Sequence, residues 1–430
     1  MRFTASRLGV AMGVAALAAC SGGTSGDHGK ASNAAGTTSS AGMPASSGGS
    51  SAVGGNGAIG AGASAGGTQG HGKGGATTGG GAGASSTAGG GAVSQGGSVA
   101  GVSGMPAGGM PAGGSGGESA AGSGHASGAS NGTLGTPTEQ ALPDLPDVRQ
   151  EHSVVALDGI VYLIGGYVAS KNSASVLAYD PQTMMYKGVA DYPGPINHGN
   201  AGALNGKIYV GGSYIGADMS TATTETYAYD PGTDRWTAVA PLPAGTERGA
   251  ACVAVDGDYM YVIGGAHDGK SVDDVARYDP AKDEWETLAK LPERREHCAA
   301  GAIGGIIYVA GGRVDGITGV EPKTWAYDPE KDGWTQKMDI DPARGGLAGA
   351  VLRDHLLVFG GEGNKSASSG VFPDIDAYDP VTDTWQHIAD MQTPRHGYGA
   401  AVIGDRVYLM GGAIKQGGTP GNQSSVFYFE

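Results

Sequence analysis

Aromatic residues are absent from a long stretch of this 430-residue chain. Residues 21 to 130 contain no Phe, Trp or Tyr, whereas all five Trp and all eighteen Tyr lie from Tyr162 onward. The same stretch holds 39 of the 84 glycines, without a triplet period, which excludes a collagen. Because such a segment cannot bury enough apolar surface to offset chain entropy, we expect a disordered tether rather than a domain.

Cysteines, long apolar runs and basic clusters are also scarce. Three cysteines exclude a disulfide scaffold, and the apolar runs are too short for a polytopic membrane protein. Residues 131 to 430 carry 22 basic and 39 acidic side chains, a formal charge of −17. Because nucleic-acid binding needs basic patches, the sequence predicts no nucleic-acid partner.

The first 19 residues have the pattern of an export signal. Arg2 and Arg7 precede an apolar stretch, Leu8 to Ala19, that is too short for a permanent transmembrane helix. The tetrapeptide Leu17-Ala18-Ala19-Cys20 resembles the lipobox of bacterial lipoproteins, in which the cysteine is lipidated and becomes the mature N-terminus. The resemblance implies membrane anchoring through a lipid on Cys20. The alternative is an ordinary cleaved signal followed by a chance cysteine.

The residue after Cys20 bears on the destination of the chain. It is Ser21, not the Asp that retains lipoproteins on the inner membrane in well-studied envelope systems. The resemblance therefore implies the bacterial outer membrane or the cell surface. Residues 20–132 would then form a lipidated, flexible tether that carries a globular unit at 133–430.

From Arg149 onward the sequence repeats six times, with a period of about 49 residues. Each unit has a short apolar run that ends in a glycine pair, and five units continue with Tyr-Asp-Pro and an aromatic residue seven positions after the Tyr. Such runs, separated by turns, predict antiparallel strands. Six four-stranded sheets arranged radially can bury faces that one sheet cannot, which predicts an all-β, six-bladed propeller. The residues predicted to be structural are Gly165, Gly166, Gly212, Gly264, Gly265, Gly311, Gly312, Gly360, Gly361, Gly411, Gly412, Trp236, Trp285, Trp334 and Trp385.

The glycine pairs, the Tyr-Asp pairs, the tryptophans and their spacing resemble kelch repeats, and the resemblance implies a kelch-type propeller. The two ends of the array predict how it closes. The last unit lacks its fourth, Trp-bearing strand, and Thr138 to Leu142 precede the first unit as a fourth strand would. We therefore expect the N-terminal segment to supply the outer strand of the last blade.

Internal repetition separates structural residues from candidate functional ones. An arginine lies sixteen positions before the glycine pair in five of six units, which predicts a structural role at strand carbonyls and carboxylates. The aspartates of Tyr-Asp-Pro are predicted to cap their turns. The units differ from one another at the two positions after the arginine. In kelch propellers that bind partners, the residues at the corresponding positions line the rim of the central channel. Carried over by position, this rim is Gln150, Glu151, Asn197, His198, Glu296, His297 and His396. Candidates in the loops after the glycine pairs are His267, Asp268, Lys270, Arg313, Asp315, Glu362, Asn364 and Lys365.

No metal and no cofactor are expected. His198, His297 and His396 suggest a three-histidine site, but residues on alternate blades are expected to lie a channel width apart, too far for one ion. Galactose oxidase, a kelch enzyme with copper, takes a ligand from a separate domain that this sequence lacks. Cys252 and Cys298 are predicted to be either buried small residues or one disulfide.

The leading functional prediction is a cell-envelope lipoprotein whose propeller binds a protein or a glycan as a scaffold module. No catalytic motif is present, so the sequence favours a binding protein over an enzyme. The alternative is a sugar-modifying enzyme, since sialic-acid mutarotases resemble six-bladed kelch proteins exported to the envelope. Glu296 or Glu151 with a neighbouring histidine would then supply the acid and base. A third possibility is a purely structural envelope protein.

Overall fold

The computed structural model describes residues 134–216 and 219–429. The predicted signal peptide (residues 1–19), the predicted lipidation site Cys20 and the predicted tether (residues 20–132) lie outside the described residues. In these two ranges all regular secondary structure is β-strand, and they contain no helix long and apolar enough to cross a membrane.

Six four-stranded antiparallel sheets make up the described chain, which confirms the predicted propeller and its blade count. Each blade begins with its inner strand, which lines the channel, and the following strands lie successively farther out. The strands, from inner to outer, are in blade 1 Ser153–Leu157, Ile160–Ile164, Val176–Asp180 and Met185–Val189; in blade 2 Ala201–Leu204, Lys207–Tyr214, Ala222–Asp230 and Arg235–Val239; in blade 3 Cys252–Asp256, Tyr259–Ile263, Val275–Asp279 and Glu284–Thr287; in blade 4 Ala299–Ile303, Ile306–Ala310, Thr324–Asp328 and Gly333–Lys337; in blade 5 Ala348–Leu352, His355–Phe359, Asp374–Asp379 and Thr384–Asp390; and in blade 6 Ala400–Ile403, Arg406–Met410, Ser424–Tyr428 and Thr138–Ala141.

Short strand pairs follow several glycine pairs. They lie in the loops on the side of the propeller where the inner strands begin. Their bounds are Arg149–Gln150, Tyr167–Val168 and Lys171–Asn172 in one sheet, Ala266–His267 and Lys270–Ser271 in a second, and Ala413–Lys415 and Gly418–Pro420 in a third.

The N-terminal segment closes the ring of blades, as the sequence predicts. Thr138 pairs with Tyr428 and Ala141 with Ser425, so the first strand of the fold is the outer strand of blade 6. The chain then stays on blade 6, where the Leu142 amide donates to the Ser424 carbonyl at 2.9 Å. The two ends of the described chain therefore hold each other in one sheet.

Each tryptophan of the repeat ties its blade to the preceding one. Trp285 Nε1 donates to the Ala240 carbonyl at 2.8 Å, and Asp283 accepts hydrogen bonds from the Ala240 amide and the Tyr278 hydroxyl, both at 2.7 Å. We call this arrangement the clamp: the aspartate and the tryptophan bind the amide and the carbonyl of one residue in the preceding blade, and the tyrosine donates to the aspartate. The aspartate follows the tyrosine by five residues and precedes the tryptophan by two. The same clamp is formed by Tyr229, Asp234 and Trp236 on Ala190, by Tyr327, Asp332 and Trp334 on Ala289, and by Tyr378, Asp383 and Trp385 on Met338.

The repeated arginines have the predicted structural role. All five are at most 1% exposed, and their guanidinium groups reach into their own blade. Arg295 Nη1 donates to the Gly311 carbonyl at 2.9 Å, and Arg344 is paired with the buried Asp376. The Tyr-Asp-Pro aspartates cap their turns, as when Asp180 accepts from the Gln182 amide at 2.8 Å. The five arginines are Arg149, Arg248, Arg295, Arg344 and Arg395.

Cys252 and Cys298 form a disulfide, one of the two arrangements that the sequence left open. Cys252 begins the inner strand of blade 3, and Cys298 directly precedes the inner strand of blade 4. Their Cα atoms are 5.4 Å apart, within the usual range for a disulfide. The bond therefore ties two neighbouring inner strands together where they begin.

Candidate functional site

The chain approaches the propeller axis once per blade, just before each inner strand, and there the backbone closes a ring of hydrogen bonds. At each of six positions the amide nitrogen donates to the carbonyl oxygen of the equivalent residue in the preceding blade, with N to O distances of 2.7 to 3.0 Å. All six residues have a positive φ, from 49° to 64°. We call this set the axial ring; its members are Glu151, His198, Ala250, His297, Gly346 and Gly397.

Three members of the axial ring carry side chains that the ring does not require. A positive φ favours glycine, and the fold accepts Gly or Ala at the other three positions. Glu151, His198 and His297 adopt this conformation at a cost of about 1 kcal/mol each, because Cβ crowds the carbonyl oxygen. Because the fold accepts Gly or Ala at the equivalent positions, these three side chains are the first candidates for a ligand site.

The three side chains meet at the axis. His198 Nε2 lies 3.2 Å and His297 Nε2 lies 3.7 Å from the same oxygen of Glu151, Oε2. The centroids of the two imidazoles are 4.9 Å apart. The expectation that alternate blades keep their residues a channel width apart is therefore wrong for blades 2 and 4, since the axial ring draws the backbone itself to the axis.

Further charged side chains lie beside the axial ring. Arg313 Nε donates to Glu296 Oε1 at 3.0 Å, and its Nη1 donates to Glu362. Its Nη2 lies 3.1 Å from His297 Nε2. His396 lies with Nδ1 3.5 Å from Glu362 Oε2. All of these groups are at most 9% exposed, so the site is a buried, mutually paired cluster rather than an open polar rim.

The two remaining rim candidates lie one position before the ring. Asn197 Oδ1 accepts a hydrogen bond from His198 Nδ1, which fixes the imidazole orientation. Since an amide oxygen only accepts, His198 Nδ1 carries the proton in this contact and Nε2 is left as the acceptor toward the axis. Gln150 is buried, and its Oε1 has no hydrogen-bond partner among the described residues.

The sequence-based candidates thus fall into two groups. All seven rim residues lie at or beside the axial ring, and Arg313 and Glu362 join them from the loops. Arg313 and Glu362 occupy equivalent positions in successive repeats, 49 residues apart, and they carry opposite charges. That combination is a sequence signal for their ion pair, although the pair is not among the sequence-based predictions. The other loop candidates take no part in the cluster: His267, Asp268, Lys270, Asp315, Asn364 and Lys365.

Burial and charge shift the titration of the cluster in opposite directions. Burial disfavours ionised Glu151, but His198 and His297 outweigh it and hold the pKa of Glu151 well below its ordinary value. Burial and Arg313 disfavour charged His297, but Glu296 and Glu151 outweigh them and raise its pKa to about 9. Burial lowers the pKa of His198 in spite of Glu151. At neutral pH the cluster therefore holds an ionised Glu151 beside a charged His297.

Two cavities adjoin the ring. A cavity of about 120 Å³ is lined by Glu151, His198 and His297, by Gly, Ala and Cys residues at or beside the ring, and by the larger His152, Leu347 and Tyr398. The channel beyond it measures about 470 Å³ and is lined mainly by Ala, Val and Gly of the six inner strands. The charged cluster therefore lies at one end of an apolar channel.

Comparisons with known proteins agree with this architecture. The KLHDC2/KLHL20/DRC7 Kelch-repeats domain matches residues 240–412, and the Kelch motif matches residues 149–183. Kelch-like protein terF of Aspergillus terreus is 32% identical over 286 residues, which are 63% of this chain and 62% of that protein. Kelch-like protein 25 of Rattus norvegicus is 33% identical over 258 residues, which are 58% of this chain and 42% of that protein. The chain thus spans less than two thirds of the length of these relatives.

A solved structure shows the same fold at low sequence identity. The structure of YjhT superposes with a TM-score of 0.56 and 16% identity, covering 66% of this chain and 96% of that one. Repeats, relatives and architecture agree: the chain carries kelch repeats, and its described residues form a kelch-type β-propeller.

Proposed function

We propose that this protein is a lipid-anchored module of the bacterial cell envelope that binds a protein or a glycan at the axial ring. Kelch propellers are generally protein-binding modules, and the described residues form such a propeller. The export signal and the lipobox support the anchor, and the glycine-rich residues 20–132 would let the propeller reach a partner at a distance.

The observation that carries the binding role is the asymmetry of the axial ring. Glu151, His198 and His297 occupy one set of positive-φ positions, whereas the fold accepts Ala250 and glycines at the others. These side chains line a cavity, and the carboxylate of Glu151 is a hydrogen-bond acceptor there. Acceptors of this kind suit the hydroxyl groups of a sugar or the N–H groups of a peptide.

Binding can be tested with the purified chain on glycan and peptide arrays. We expect retention of one of the two classes, and Glu151→Gly should weaken it about tenfold, the effect of losing one good hydrogen bond to a charged group. Ala250→Gly is the matched control, because it changes the same ring position of another blade without removing a polar group. Equal binding by both variants would contradict the proposal. Release of a chemically altered sugar would instead support the sugar-modifying enzyme.

The anchor can be tested in a bacterial host fed with an alkyne-tagged fatty acid. The chain should incorporate the label, and Cys20→Ser should abolish the label and release the protein from membranes. Ser21→Asp offers a sharper comparison, since it keeps the cysteine and should move the labelled protein from the outer to the inner membrane fraction. Unlabelled wild-type protein would favour the ordinary cleaved signal.

A further inference from the structure

Two imidazoles and one carboxylate converge at the axis in an arrangement that resembles a metal site. Among the described residues, the donor atoms of Glu151, His198 and His297 lie within 4.8 Å of one another. In a tetrahedral zinc site, ligand atoms about 2.0 to 2.1 Å from the ion are about 3.3 Å apart. The Glu151 oxygen is 3.2 Å from His198 Nε2 and 3.7 Å from His297 Nε2, so two of the three separations between ligand atoms are already close to this spacing. The third, between the two imidazoles, is at most 4.8 Å.

Each imidazole is also held on its far side, as metal-binding histidines are. His198 Nδ1 is hydrogen-bonded to Asn197 Oδ1, and His297 Nδ1 lies 3.4 Å from Glu296 Oε2. Such an oxygen on Nδ1 fixes the tautomer in which Nε2 presents its lone pair to a metal. Both Nε2 atoms here face Glu151.

The charge of the cluster favours a divalent cation. With both imidazoles neutral, as metal ligands must be, three carboxylates (Glu151, Glu296, Glu362) surround a single guanidinium, that of Arg313. Two negative charges are then left over in a buried site, where uncompensated charge is unfavourable. The guanidinium of Arg313 contacts the imidazole of His297 and donates hydrogen bonds to Glu296 and Glu362. The two carboxylates therefore hold Arg313 in place when a metal binds to His297.

We propose that Glu151, His198 and His297 form a zinc site at the propeller axis. Two histidines and one glutamate are a ligand set of zinc sites that keep a fourth position open, and the 120 Å³ cavity beside them leaves room for water or a ligand atom there. The backbone strain at these three positions then has a purpose, since only the ring geometry brings ligands from three blades to one point. The inference does not depend on the proposed partner.

Zinc binding is tested by titrating Zn²⁺ into the EDTA-stripped, dialysed full chain at neutral pH, against a chromophoric chelator. We expect one high-affinity ion per chain. Glu151→Gly, His198→Gly and His297→Gly should each weaken that site more than the roughly 100-fold that loss of an outer-sphere partner costs. Glycine adopts a positive φ readily, so each variant should fold. The melting temperature of each variant in EDTA verifies that it does. The three variants test the three ligands independently.

Two controls keep the result specific. Ala250→Gly relaxes the ring without touching a ligand. His387→Gln removes the histidine of a more exposed group of two carboxylates and one imidazole, Asp374, His387 and Asp390. Both should bind zinc like the wild type. X-ray absorption should show two imidazole nitrogens at about 2.0 Å. Absence of stoichiometric zinc, equal affinity in the ligand variants, or a sulfur ligand from Cys20 would overturn the proposal.

Discussion

Deleting residues 133–143 should lower the melting temperature of the whole propeller by more than about 10 °C, although the segment contributes only four residues of strand. The deletion removes the outer strand of blade 6 and with it the pairing to Ser424–Tyr428. It also removes Leu142, which packs beside the core between blades 6 and 1, and the Pro143 carbonyl that accepts from the Tyr186 hydroxyl at 3.0 Å. A closed array would become an open one with two weak ends, so destabilisation should reach every blade.

The measurement is thermal unfolding followed by circular dichroism, with two comparisons. Deleting residues 21–130 should leave the melting temperature unchanged, because that segment is predicted to contribute no core. Glu139→Gln alters only the acceptor of one hydrogen bond to the Gln392 amide, 2.7 Å long, and should shift melting by a few degrees at most. A closure deletion that melts within two or three degrees of the intact chain would show that blade 6 does not need this strand.

Arg313→Met should destabilise the propeller by about 3 to 5 kcal/mol, the effect of removing one partner from a buried ion pair. Arg313 pairs with Glu296 and Glu362, which are 3% and 1% exposed. Without the guanidinium, both carboxylates lose one cationic partner in a buried site, where ionised groups need compensation, and Glu296 keeps only the imidazole of His297. For a folded unit of about 300 residues the loss corresponds to a fall of roughly 5 to 8 °C in melting temperature.

The matched control is Arg294→Met, because Arg294 is half exposed and its ion pair with Asp315 is at the surface. That change should cost less than about 1 kcal/mol. Adding Glu362→Gln to Arg313→Met should recover part of the loss, since it removes one of the unpaired charges. Both measurements are made in EDTA so that bound metal does not compensate. If the two arginine variants were equally stable, the cluster would not be held by Arg313.

Repetition is the reason that the fold could be predicted from the sequence. Glycine pairs, Tyr-Asp-Pro turns and tryptophans recur in register, so the blade count and the missing last strand could be counted directly. The clamp formed by Asp234 and its equivalents was missed, although an aspartate five positions after the tyrosine recurs in four units. The disulfide was left open because the spacing of Cys252 and Cys298, 46 residues, shows its meaning only once the strands are adjacent.

The site was predictable in membership but not in geometry. Comparison of the six repeats identifies Glu151, His198 and His297 as candidates, because it needs only the positions at which the repeats differ. The distance between them depends on the axial ring, in which the backbone has a positive φ. The residue types Glu and His do not indicate that conformation. The glycines at 346 and 397 marked that conformation at the equivalent positions, and comparing them with His198 and His297 would have brought the residues to the axis.

The axial ring has a further consequence for how propellers of this kind could diversify. At each of its six positions both the amide and the carbonyl are already engaged within the ring, so the backbone there is self-satisfied. Recognition at the axis is therefore left to the side chains at these positions, which Gly346 and Gly397 lack. Because the ring tolerates Gly, Ala, Glu and His on one backbone path, its chemistry can be exchanged residue by residue while the blades stay as they are.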